Sequence, residues 1–237
     1  MQFVRRSHRV FLSFALTTAI AAFPPSASTR PPTLVVTKRA LLAAGAETGY
    51  AEYGLVLRNP TSRDALDVTV TVTAKDSSGG ALVTDTPTTT LVPAGRAVVV
   101  AGELVSNLFL EPSRISVRVR VARWAVSGRR LPRARGLRVR VNVDSHAVGW
   151  FTNPYARPMP SGAYINALFL NGNGRIIGVD TETTRAVVAP HGTARFDLSA
   201  TYNTAEQLHA VRSAMVTIDP CGYDLDTPAC PVPGAAG

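Results

Sequence analysis

Lysine is nearly missing from this chain. Lys38 and Lys75 are the only two, and every other cationic side chain is an arginine. Charged residues of both signs make up only 17% of the sequence and aromatic residues 7%. No long stretch carries apolar residues at helical spacing, which argues against a helix bundle. Several catalytic signatures are absent: G-x-S-x-G, H-E-x-x-H, a phosphate-binding P-loop and a G-x-G-x-x-G fingerprint. His146, His191 and His209 are dispersed, and each reads as a structural or solvated histidine. These absences lead to the expectation of a non-enzymatic protein with no cofactor and no metal site. Cysteine is also scarce. Cys221 and Cys230 lie near the C-terminus, without the C-x-x-C spacing of a redox or zinc pair, and read as a disulfide.

The N-terminus has a character of its own. Arg5, Arg6 and Arg9 precede an apolar run from Val10 to Ala22, followed by Pro24 and Pro25. A basic start, a short apolar segment and small residues form the layout of a secretory signal peptide, here 1–28. The apolar run is short for a membrane span, which needs roughly 20 residues. Contact with a membrane is therefore expected only if this segment stays uncleaved. The expected location is secreted or envelope-associated. Removing the three arginines lowers the formal charge from +9 to +6, so the remainder stays basic.

Beyond this segment valine and threonine runs recur, as in an all-β protein. Leu66, Val68, Val70, Val72 and Ala74 alternate with Asp67, Thr69, Thr71, Thr73 and Lys75, giving a strand with one apolar and one polar face. The pattern occurs twice. A strand ends at Asn59-Pro60 in the first copy and at Asn153-Pro154 in the second. A second strand comes next, Leu66 to Lys75 or Ala163 to Leu170, and each closes on a glycine-containing turn. Pro93-Ala94-Gly95 and Pro190-His191-Gly192 then lead into a further strand. Ala163, Ile165, Ala167 and Phe169 take the inward positions of the second copy. Ile115, Val117, Val119 and Val121 point inward on the last strand of the first, with Arg118, Arg120 and Trp124 on the outward parity. A short helix is expected over 203–212, capped by Asn203. The organisation predicted is a signal peptide at 1–28, two tandem immunoglobulin-like antiparallel β-sandwich modules at 30–126 and 136–220, an Arg/Pro linker at 127–135, and a Cys/Pro/Gly-rich tail at 221–237.

The order of these motifs resembles the FxLYD-type domain, an immunoglobulin-like module of bacterial exported proteins. Val72-Thr73-Ala74-Lys75-Asp76 and Ala167-Leu168-Phe169-Leu170-Asn171 stand at the segment that names that family. The terminal Asp or Asn and the following glycine match, while the leading aromatic is absent from both copies. A second resemblance, through the Asn-Pro after an early strand, is to water-stress LEA-type sandwich domains. Both resemblances imply a sandwich fold, and the first an exported setting. Neither implies a catalytic site.

Two surfaces stand out as candidates. No acidic residue occurs between Glu111 and Asp144, and that interval holds a run of arginines. Alternation puts Arg118, Arg120, Arg138 and Arg140 on outward faces, and with Arg123 from the same run they form a candidate patch for an anionic envelope polymer. Nucleic acid is not the expected partner. The second surface is the outward face of the second module, with Trp150, Tyr155, Tyr164, Leu168 and Leu170. Thr69, Thr73 and Lys75 of the first module occupy the strand positions that match Tyr164, Leu168 and Leu170. This face reads as covered, by the first module, by another envelope protein or by a sugar. The function expected is an envelope-associated binding or scaffolding role, with a carbohydrate-binding or accessory module of an extracellular enzyme system as the alternative.

Overall fold

The computed structural model describes residues 32–43, 50–105, 112–141, 144–200, 209–221 and 232. The expected signal peptide lies outside them. So do Cys230 and Asn203, the residue expected to cap a helix.

The described residues form thirteen strands arranged as two antiparallel sandwiches with matching topology. In the first, β1 (Val35–Ala43), β2 (Tyr50–Arg58) and β6 (Ala97–Val105) make one sheet in the order β1-β2-β6. The facing sheet is built on β3 (Arg63–Lys75). One edge of β3 pairs first with β5 (Thr88–Val92) and then with β4 (Ala81–Asp85), and its other edge pairs with β7 (Arg114–Val126). The second sandwich repeats this plan. Its β8 (Ala134–Val141), β9 (Ser145–Thr152) and β12 (Thr193–Ala200) form one sheet, with β9 central. Its β10 (Tyr164–Asn171) lies between β11 (Ile176–Thr183) and β13 (Val211–Asp219).

Alternation fills each interior. Tyr53, Leu55 and Leu57 of β2 meet Val68, Val70 and Val72 of β3 in the first core. Phe151 of β9 meets Ile165, Ala167 and Phe169 of β10 in the second. Burial of this kind contributes about 25 cal/mol for each Å² of apolar surface removed from water.

The sandwiches are stacked. Val56, Val99 and Ala101, on the outer side of β1-β2-β6, form a third apolar layer with Leu168, Leu170, Ile176 and Val179 of the second module. Gly54 makes the close approach possible. A Cβ there would sit 2.5 Å from Leu168 Cδ2 and 2.7 Å from Val179 Cγ1. Strand β13 adds polar clasps. Thr217 Oγ1 accepts the Val99 amide (2.8 Å), and Asp219 accepts from Thr90 N (2.7 Å), Thr90 Oγ1 (2.7 Å) and Thr89 Oγ1 (2.9 Å). The outcome is four sheets in layers within one compact unit, Pro32–Gly237.

Three local expectations are corrected. Leu66 does not share the face of Val68. It packs with Leu91, Cys221 and Val232, while its neighbour Ala65 enters the first core. The cause is Asp67, whose left-handed backbone (φ 53°) interrupts the alternation. Opposite it, pairing between β3 and β7 skips from Leu66↔Arg123 to Val68↔Val121. The same irregularity turns Trp124 inward, half-buried against the first core, where strict alternation puts it outside. The helix expected through Arg212 does not reach that far. Only His209 and Ala210 are helical among the described residues, and Val211 and Arg212 begin β13.

Candidate functional site

Where β7 ends, the chain crosses to β8 through 127–133, and this crossing is tied to both modules. Asp64, buried at the start of β3, accepts the Ala94 amide on Oδ1 (2.9 Å) and the Arg129 amide on Oδ2 (3.0 Å). The Arg129 guanidinium lies 3.7 Å from the same carboxylate. One acid thus pins the Pro93-Ala94-Gly95 turn to the start of the linker. From the second module, the Tyr155 hydroxyl donates to the Arg130 carbonyl (2.7 Å). Burial pushes the Tyr155 phenol well above its ordinary range, so it stays a donor at any physiological pH. Pro132 is buried and Leu131 half-buried.

With its backbone held, the linker turns Arg130 and Arg133 to water, while Arg129 stays half-buried beside Asp64. Arg96, Arg129, Arg130, Arg133 and Arg135 line a cleft of about 930 Å³. Asp64 is the only carboxylate in its lining, and it is already occupied. Arg96, Arg130, Arg133 and Arg135 form no ion pair among the described residues. A concave surface with one sign of charge attracts counterions of the other sign.

The arginines singled out by sequence are distributed differently from the expected patch. Arg118 and Arg120 are exposed on β7, opposite Thr71 and Thr69, on the outermost sheet of the first module. Arg123 is paired with Asp67 at 3.1 Å. Arg138 and Arg140 are exposed on β8, on the outermost sheet of the second module. Layer order puts these two outer faces on opposite sides of the stack, so the five do not form one patch. The junction cleft is built instead by the linker arginines, with Arg96 from the 93–96 turn. Sequence reasoning did not select Arg96. Its available signal was its place after the first Pro-Ala-Gly turn, beside Asn59, whose backbone amide donates to the Arg96 carbonyl (2.8 Å).

The aromatic candidates also part company. Leu168 and Leu170 are buried in the layer between the modules, so the chain itself covers them. Tyr164 is half-buried, close to Asp219 and Thr89. Tyr155 is engaged at the linker. Trp150 alone remains open, 43% exposed on the outer face of β8-β9-β12. Cross-strand register places it between Arg135 and Arg195. In the next rows, His146 Nδ1 donates to Asp197 Oδ1 (2.8 Å). Trp150, Arg138, Arg140, Arg195 and Val187 line a second cleft of about 1000 Å³.

Among the described residues no cluster of three or more His, Cys, Asp or Glu could hold a metal ion. Cys221 is not a free thiol. Its expected partner Cys230 lies outside the described residues.

No protein-family model and no curated protein matches the chain. Solved structures with partial similarity include a red sea bream transglutaminase (19% identity, TM-score 0.25) and the C-terminal globular domain of an oligosaccharyltransferase from Pyrococcus abyssi (9% identity, TM-score 0.23). Each match covers 79% of this chain, which spans 30% of the first structure and 46% of the second.

Proposed function

We propose that this is an exported, non-enzymatic binding or scaffolding protein of the cell envelope, which holds an anionic polymer along the arginine-lined junction cleft. The observation that supports this most is the set of exposed guanidiniums at Arg96, Arg130, Arg133 and Arg135, which form no ion pair among the described residues, around a cleft whose single described acid is already engaged. Guanidinium is always charged, weakly hydrated and geometrically matched to carboxylate and phosphate. The signal-like N-terminus and the resemblance to FxLYD-type modules support the exported setting.

The test is retention of the protein on isolated envelope material across a salt series. Retention is expected to fall with salt. The triple variant Arg96→Ser, Arg130→Ser, Arg133→Ser should reduce the log–log salt slope by about one for each contacting arginine removed. Arg118→Ser with Arg120→Ser, on the far sheet, should change it little. Salt-independent retention, or equal effects of the two variants, would remove the cleft from consideration.

A further inference from the structure

Trp150 is the only exposed aromatic side chain among the described residues. Its position is built rather than incidental. The pairing of β8 with β9 shifts between Arg135 and Arg138, and the extra residue includes Gly136 at φ 56°. The six-membered ring of Trp150 occupies the space that a Cβ on Gly136 would need. The bulge therefore supports the indole from below and leaves its remaining surface to water. Gly149, next to it on β9, is similarly filled by Phe196 of the core, which fixes the strand beneath.

Charge is arranged around this ring. Arg195 and Arg135 are its direct cross-strand neighbours, and Arg138 stands one row away. Asp197, the acid nearest in register, is held by His146. Directly opposed side chains on a sheet have Cβ atoms roughly 5 Å apart. An anion held here thus belongs to the same chemical unit as the ring that stacks. A bare polyphosphate has no ring for the indole, and a neutral sugar has no use for the guanidiniums. In a nucleic acid the base and the phosphate are separated by the pentose.

We propose that the outer face of β8-β9-β12 is a subsite for an acidic sugar, with the C–H face of a pyranose stacked on Trp150 and its anionic substituent held by Arg138 and Arg195. This rests on the polyanion reading and narrows it to an acidic polysaccharide. Aromatic faces bind apolar C–H surfaces while charged groups at the rim set orientation.

The experiment measures affinity of the full chain for oligogalacturonate, neutral oligogalactose, oligo-dT and inorganic polyphosphate, with acrylamide quenching of tryptophan fluorescence in parallel. Trp124, half-buried, supplies the constant background. Oligogalacturonate should shield Trp150 from acrylamide. Trp150→Ala should weaken its binding by about tenfold, the loss of one stacked ring, and leave polyphosphate binding within about twofold. Arg138→Gln with Arg195→Gln should weaken both. Equal losses for oligogalacturonate and polyphosphate in Trp150→Ala would overturn the subsite. So would oligogalactose binding as tightly as oligogalacturonate, or oligo-dT binding more tightly. If the wild type binds no polyanion even at low salt, the broader polymer reading fails as well, an outcome distinct from a subsite failure alone.

Discussion

Asn59 and Asn153 do the same work in the two modules. Each is fully buried at the end of a strand and turns its side chain onto backbone. Asn59 Nδ2 donates to the Arg63 and Val92 carbonyls, and its Oδ1 accepts the Thr61 amide. Asn153 Nδ2 donates toward the Arg157, Val188 and Ala189 carbonyls, and its Oδ1 accepts the Tyr155 amide. An amide offers two donors and an acceptor at once, and aspartate cannot supply the donors. Replacing Asn153 by Ala leaves several buried backbone groups unpaired. A loss of about 3 kcal/mol is expected in urea unfolding, with Asn153→Asp no better. A loss below about 1 kcal/mol would show that water replaces the side chain there. These asparagines were legible in the sequence as a repeated Asn-Pro. Their reach to a turn more than thirty residues away was not, because a side chain's backbone partners depend on tertiary contacts.

Among the elements, β2 is covered on both faces, as are β6 and β10. Tyr53, Leu55 and Leu57 point into their own sandwich, while Gly54 and Val56 meet the second module. Leu168 is the matching projection from β10 and is completely buried. Leu168→Ala should cost about 2–5 kcal/mol, the range for a large-to-small change in a packed layer. The loss should appear as a lower urea midpoint for the entire molecule. A second, separate transition would mean that the modules unfold independently. Strict alternation was enough to read most strands and to mark Leu168 and Leu170 as covered. It failed at β3 and β7, because nothing in the sequence announces that Asp67 adopts a left-handed backbone and exchanges the faces of Leu66 and Trp124. It was also silent on the arginines of the junction. Their convergence depends on how the linker folds back, which periodicity does not encode.

For the molecule as a whole, the layer between the modules carries buried acids as well as apolar contacts. Glu52, on the outward side of β2, is pushed up to about 7 from its ordinary value of 4.5. Burial is the main cause, opposed by the Tyr50 hydroxyl and reinforced by the charges of Glu103 and Asp180. Asp180 is raised too, again chiefly by burial. A folded-state value above the unfolded one means that the folded protein holds the proton more tightly. The stabilisation is therefore complete below about pH 4.5 and is lost as the pH rises toward 7. Thermal melts should show Tm falling across that window. Glu52→Gln should remove its share of the slope, leaving the variant more stable than the wild type at pH 8 by about 2 kcal/mol after allowance for residual hydration. Parallel pH profiles for the two proteins would show that Glu52 is not the group responsible.

The stacking also sets an order of events during synthesis. The first sandwich is complete in sequence at Val126, yet the partners of its β1-β2-β6 sheet, Leu168 and Ile176, are still to come. The amide of Val99 and that of Thr90 find their acceptors only at Thr217 and Asp219, the last strand of the second module. A growing chain thus presents an apolar sheet face and open strand edges for as long as the second module takes to emerge. Exposed surfaces of that kind invite association with other chains. The half-made protein is therefore open to association through a face that the finished one buries.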